Sequence, residues 1–203
     1  KNVQKFTADN VVAYIEGSEF PNEYIILTAH LDHVGIQNGE IYNGADDDGS
    51  GTVAMMEIAE AFSFAKEQGF GPKRSIVFLH VTAEERGLLG SQYYADYEPL
   101  VPLNQTIANL NMDMMGRADP NRGIRNLNYV YIIGSDILSD DLHKINMDAN
   151  KNYANLELDF RFNDINDPNQ FYYRSDHYHF VKNNIPAIFY FSGVHEDYHQ
   201  PTD

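Results

Sequence analysis

The run Ser75-Ile76-Val77-Phe78-Leu79-His80-Val81 leaves no face for water, because six of its seven side chains are uncharged and the pattern never alternates. Such a run reads as a strand covered on both faces, the situation of a mostly parallel sheet between helices. Similar runs recur at Val11-Val12-Ala13-Tyr14-Ile15, Tyr24-Ile25-Ile26-Leu27-Thr28-Ala29, Thr106-Ile107-Ala108-Asn109-Leu110-Asn111, Tyr129-Val130-Tyr131-Ile132-Ile133 and Pro186-Ala187-Ile188-Phe189-Tyr190-Phe191. Between them, Val53, Met56, Ile58, Ala59, Phe62 and Ala65 recur at helical spacing and predict a helix over 51–68, closed by Gly69 and Gly71-Pro72. Further helices are predicted over 88–97, over about 135–150 with Ser135 as N-cap, and over 175–182. The polar stretch 164–169 with Pro168 reads as a loop. The pattern predicts an α/β fold: a mixed, mostly parallel central sheet with helices on both faces and function at the carboxyl ends of the strands.

At 203 residues the chain is long enough for one substantial core, so residues 1–203 read as a single domain. Its 14 Lys+Arg against 30 Asp+Glu give a formal charge of −16, which repels phosphate and argues against nucleic acid or an anionic membrane as partner. Cysteine is absent, so a transition-metal site has only His, Asp and Glu to use. No apolar run approaches a membrane span. The opening Lys1-Asn2-Val3-Gln4 is no signal peptide, and with the ending Pro201-Thr202-Asp203 it reads as a trimmed domain.

The chemistry concentrates in Asn43-Gly44-Ala45-Asp46-Asp47-Asp48-Gly49-Ser50-Gly51, three successive carboxylates between glycines at the start of the predicted helix. A helix N-terminus tolerates negative charge, so a solvated capping loop is one reading and a cation site is the other. The second gains from His30, Asp32, Glu84, Glu85, Asp113 and His199, most of which directly follow predicted strands and together supply a His/carboxylate zinc centre. Strand alternation places His30 and Asp32 on one side, where the Asp32 carboxylate would accept the imidazole N–H facing away from the metal. Glu84-Glu85 ends a wholly apolar strand, so one carboxylate is expected to bind a cation and the other to handle protons. Tyr198, beside His199, reads either as a packed tyrosine or as a donor to a tetrahedral oxyanion. His80 reads as a hydrogen-bonded core residue, and Asp176 as a helix N-cap or a buried acceptor.

Ala29-His30-Leu31-Asp32, Gly44 through Gly51, Ala83-Glu84-Glu85-x-Gly87-x-x-Gly90-Ser91, Asn111-Met112-Asp113-Met114-Met115-Gly116, Arg174-Ser175-Asp176-His177 and Tyr198-His199-Gln200-Pro201-Thr202-Asp203 occur in one order. In these pieces the chain resembles the M28 family of co-catalytic dizinc peptidases, of zinc-exopeptidase, phosphorylase/hydrolase-like fold. The resemblance implies two zinc ions per chain, with Asp47 bridging them, His30 and Asp113 completing one site, and Glu85 and His199 the other. It makes Glu84 the general base, places Arg174 near the substrate backbone and expects a cis Asp47-Asp48 peptide. His33, His177, His179 and His195 are not ligands by the resemblance and are expected at the surface or behind ligands. The implied activity is that of an aminopeptidase on peptide substrates, with an extracytoplasmic location. The alternatives are a carboxypeptidase or dipeptidase, a glutaminyl cyclase-like acyltransferase, a non-catalytic module of the same fold and a calcium site. His30 and the absence of tryptophan weigh against the cyclase, the presence of all five implied ligands against the non-catalytic module, and His30 with His199 against calcium.

Overall fold

The computed structural model describes residues 7–123 and 127–203, so the opening Lys1-Asn2-Val3-Gln4 lies outside the described residues. The strands are β1 (Val11–Ile15), β2 (Phe20–His30), β3 (Gly35–Gln37), β4 (Glu40–Tyr42), β5 (Arg74–Val81), β6 (Thr106–Met112), β7 (Tyr129–Ile133), β8 (Glu157–Asp159) and β9 (Ala187–Phe191). The helices are α1 (Gly51–Glu67), α2 (Leu89–Asp96), α3 (Asp140–Ala149) and α4 (His177–Lys182). Seven strands form one sheet in the order β1-β5-β2-β6-β9-β7-β8, while β3 and β4 make a separate hairpin. β2 runs parallel to β5 and β6, β6 to β9 and β7 to β8. Within the seven-stranded sheet, β1 pairs antiparallel with β5 and β7 with β9. The sheet is therefore mixed and mostly parallel, as the unbroken apolar runs require.

Alternation along each strand feeds two cores. Ile26, Val77, Leu79 and Val81 pack with Tyr94 of α2 and Phe180 of α4 on one face. Leu27, Ala29, Ile76 and Phe78 pack with Met55, Ile58, Ala59 and Phe62 of α1 on the other. Met55 is fully buried, and a side chain of that size contributes roughly 1.5–3 kcal/mol on burial. Val53 and Met56, expected in the buried stripe, instead face solvent at 56% and 59% exposure. Ala54 and Met55 take their place, packing with Ile58, Ala59 and Phe62.

Two further expectations are corrected. The third helix starts at Asp140, not near 135: Ser139 is the N-cap, its hydroxyl accepting from Leu142 N at 3.1 Å. Ser135 is buried and its hydroxyl lies 2.8 Å from His143 Nδ1. The last helix begins at His177, not 175. The strands β3, β4 and β8, three residues each, were not anticipated. Among the described residues no helix is long and apolar enough to cross a membrane.

A buried polar seam joins β2 to β6. Thr28 Oγ1 donates to Asn111 Oδ1 (2.6 Å), and Asn109 Nδ2 donates to Thr28 Oγ1 (3.0 Å) and to the Ile26 carbonyl (3.1 Å). This seam leads straight to the carboxyl ends of the two central strands, where the acidic residues gather.

Candidate metal centre

The acidic loop Ala45–Ser50 connects the region after β4 to α1, and its three carboxylates divide the work. Asp48 Oδ2 accepts from His30 N (3.0 Å), and Oδ1 accepts from Gly51 N (3.0 Å) and Met114 N (3.1 Å). That one carboxylate ties the loop to β2, to the first turn of α1 and to the exit of β6. Gly51 is required there, since a Cβ would stand 2.4 Å from Asp48 Oδ1 and 2.6 Å from the Met112 carbonyl oxygen. Asp46 Oδ1 accepts from Gly116 N (2.6 Å), and Oδ2 lies 3.0 Å from His195 Nε2. Only Asp47 is left with its oxygens turned inward, and the Asp47–Asp48 peptide is cis.

Each Asp47 oxygen meets a different imidazole. Oδ1 lies 3.1 Å from His30 Nε2, and Oδ2 lies 3.1 Å from His199 Nε2. Asp113 Oδ1 is 3.8 Å from His30 Nε2, and Glu85 Oε2 is 3.1 Å from His199 Nε2. His30 with Asp113 thus stands against one oxygen of Asp47, and His199 with Glu85 against the other, while ligand atoms of His30, Asp48 and Asp113, and of His33, Asp47 and Glu85, lie within 4.8 Å of one another. Ser175 Oγ donates to Asp113 Oδ2 (2.6 Å) and itself accepts from Asn111 Nδ2 (2.7 Å), so the β2–β6 seam ends on this carboxylate. Ser175 and Asn111 were quoted in the sequence without a role; the detectable signal was two asparagines at period two, Asn109 and Asn111, inside a buried strand.

The electrostatics describe a site short of positive charge. Burial, with Asp113 nearby, pushes Glu84 up to about 10; burial and Asp47 push Glu85 up to about 7. Burial and Asp113 likewise raise Asp48. Burial also acts upward on Asp47, yet His199 and His30 hold it well below the ordinary carboxylate range. Burial acts downward on His30, but Asp113 and Asp47 outweigh it and raise this imidazole. His30 Nε2, both ring nitrogens of His33 and Glu85 Oε1 are buried without a hydrogen bond. Orphaned donors of N and O type, facing one another in an anionic space, are what a bound divalent cation satisfies. The residues fit the metal that the sequence implied.

The place of Asp32 differs from expectation. Strand β2 ends at His30, so alternation stops before Asp32 is reached. His30 Nδ1 meets the Asp32 backbone carbonyl at 2.8 Å, while the Asp32 carboxylate is 3.9 Å away. That carboxylate accepts from Glu84 N (3.0 Å) and Glu85 N (3.3 Å), holding the paired glutamates in place. The histidines expected at the surface or behind ligands prove deeply set: His177, His179 and His195 are buried, and the His33 side chain is only 7% exposed. Asp176 occupies the N-cap position of α4 without a side-chain capping bond and is instead the buried acceptor of the alternative reading, taking a hydrogen bond from Ser91 Oγ at 2.5 Å. His80 is half-buried, and its Nδ1 has no hydrogen-bond partner, contrary to the reading of a satisfied core residue.

Asp47, Glu84 and Asp113 open onto a pocket whose other walls are Met114, Phe171, Phe189, Phe191, Val194, Arg174 and Tyr198. Tyr198 stacks on His199 with ring centres 3.9 Å apart, and its hydroxyl accepts from Arg174 Nη2 at 3.3 Å. A neighbouring hollow shares Phe171, Arg174, Val194 and Tyr198 and extends to Arg161, Phe162 and Asn169. The stretch 159–171, left without a conformation by the sequence, therefore shapes the approach to the carboxylates.

A mostly parallel sheet bearing two linked His/carboxylate groups at its carboxyl edge defines an α/β protein built around a metal centre. The chain belongs to peptidase family M28, whose model matches residues 10–203. It is 34% identical over 193 residues to a probable leucine aminopeptidase 2 of Aspergillus oryzae, covering 93% of this chain and 34% of that protein. Among solved structures, it is similar to BSAP, a zinc aminopeptidase from Bacillus subtilis (TM-score 0.69, 25% identity, 96% of this chain, 44% of that one). LapB from Legionella pneumophila shares the fold (TM-score 0.75, 23% identity, 97% of this chain, 49% of that one). The chain spans about a third of the length of the curated relatives it matches over most of its own length.

Proposed function

We propose that this chain carries the catalytic centre of a zinc aminopeptidase that removes an apolar N-terminal residue from peptides. The observation that carries the reading is Asp47 placing one oxygen 3.1 Å from His30 and the other 3.1 Å from His199, with Glu84 on the wall of the adjoining pocket. His30, Asp113 and Asp47 would hold one zinc, and Glu85, His199 and Asp47 the other. Two zinc ions there supply Lewis acidity that polarises the scissile carbonyl and makes a water easier to deprotonate. Three carboxylates against two dications leave the centre net positive, as that chemistry needs. The names of the relatives, leucine aminopeptidase and zinc aminopeptidase, agree with the reading.

The protein side chains then have distinct tasks. Glu84, on the pocket wall, would take the proton of the attacking water on its carboxylate and return it to the leaving amine. Tyr198 accepts from Arg174, which leaves its own hydroxyl proton free to donate to the oxyanion of the tetrahedral intermediate. Met114, Phe171, Phe189, Phe191 and Val194 would receive an apolar side chain. Asp32 holds the Glu84-Glu85 backbone so that one glutamate faces the pocket and the other faces His199.

Aminoacyl anilides and amides separate this activity from that of a carboxypeptidase. Zinc-dependent cleavage of unblocked leucyl and phenylalanyl substrates, abolished by acetylating the amine, is expected. Turnover of N-acetylated peptides bearing a free carboxylate contradicts the aminopeptidase reading and favours a carboxypeptidase of the same fold.

A further inference from the structure

His33 lies beside Asp47 and Glu85, and the ligand scheme above leaves it unused. It follows β2 by three residues and is set against Gly44: a Cβ on Gly44 would lie 2.4 Å from His33 Cγ, and Gly44 has φ +67°. The ring is therefore pinned by a backbone position that only glycine fills comfortably. Its side chain is 7% exposed, and neither ring nitrogen has a hydrogen bond.

His33 Nδ1 points at 3.0 Å to Glu85 Oε1, which is itself buried without a hydrogen bond, and lies 3.7 Å from Asp47 Oδ2. On the other side, His199 Nε2 stands 3.1 Å from Glu85 Oε2 and 3.1 Å from Asp47 Oδ2. Two imidazoles thus bracket the same pair of carboxylates, their rings T-shaped with centres 5.6 Å apart. Zinc with arms of about 2.0–2.1 Å sets neighbouring donors roughly 3.3 Å apart, and His33, Asp47 and Glu85 each offer a ligand atom within 4.8 Å of the others.

Resting on the zinc-centre reading above, we infer that His33 is a further protein ligand of the metal held by Glu85, Asp47 and His199. That site then has two histidines and two carboxylates, with a fifth position left for water, and the His30–Asp47–Asp113 site keeps a single histidine. The two metal positions become unequal: the one at Glu85 is the richer in protein donors and holds zinc more tightly. His199, on the loop after β9 and with a side chain 37% exposed, is no longer the sole imidazole there.

The test uses the whole chain loaded with zinc, read by X-ray absorption at the zinc edge and by chelator competition. Three imidazoles distributed over two zincs are expected in the wild type, falling to two in His33→Ala and in His33→Gln. Either variant should weaken the tighter zinc by more than about 100-fold, beyond the 10–100-fold typical of residues that only orient a ligand. His199→Ala should keep its second zinc, and His33→Ala/His199→Ala should lose it. Circular dichroism of the zinc-free variants checks that each remains folded. A wild type with two zincs, two imidazoles in total and an unchanged affinity in both His33 variants overturns the inference alone. A wild type that binds no zinc overturns the metal-centre reading together with it.

Discussion

Asp47 and Asp48 are adjacent, identical in side chain and opposite in duty. Asp48 spends its oxygens on three backbone N–H groups, whereas Asp47 spends its oxygens on two imidazoles. Asp48→Asn turns an amide NH2 toward buried donors, so it should cost roughly 3 kcal/mol in urea unfolding of the zinc-free chain. Asp47→Asn should abolish tight zinc binding, and it also removes the carboxylate that His30 and His199 face in the zinc-free chain. The glutamate pair divides in the same way. Glu84→Gln should retain metal and lower kcat by at least about 100-fold, because proton transfer is lost and coordination is not. Glu85→Gln should show the reverse order of effects, weakening zinc first, and elemental analysis beside kinetics distinguishes the two. The sequence placed all these residues near one another, but not the jobs of Asp46 and Asp48, since backbone acceptors are invisible in a one-letter run. Asp32 was misplaced for a related reason: its expected pairing assumed strand geometry beyond His30, where the chain has already left the sheet.

At the scale of elements, long apolar strands were legible because burial on both faces writes itself into composition. The three-residue strands β3, β4 and β8 were not, because so short a pairing imposes no pattern. The helix α3 was placed too early because Ser135 and Ser139 are equally good caps in sequence; only tertiary contact with His143 occupies the first. Ser139→Ala should accordingly cost about 1 kcal/mol, while thermal unfolding of Ser135→Ala reports a different interaction, the Ser135–His143 contact. Helix α4 brings its own pH dependence. His177 is fully buried and stacks on Phe189, and burial pushes its pKa down to about 3. Between pH 6.5 and 3 the unfolded chain binds the proton and the folded chain does not, so this group makes stability fall as pH drops. The slope is about 1.4 kcal/mol per pH unit at most, and His177→Phe should flatten it in urea titrations taken from pH 7 to 5.

For the molecule as a whole, the −16 charge is not spread at random: part of it is folded into one buried space at the carboxyl edge of the sheet. Removing metal should therefore destabilise the protein itself. A chelator is expected to lower Tm, and zinc at about 1,000 times its Kd restores roughly 4 kcal/mol by mass action. Zinc anomalous scattering from crystals of the zinc-loaded chain addresses the central claim directly. The account predicts two peaks about 3.5–4 Å apart with Asp47 between them, one beside His30 and Asp113, the other beside Glu85 and His199. A single peak, or peaks away from Asp47, contradicts it.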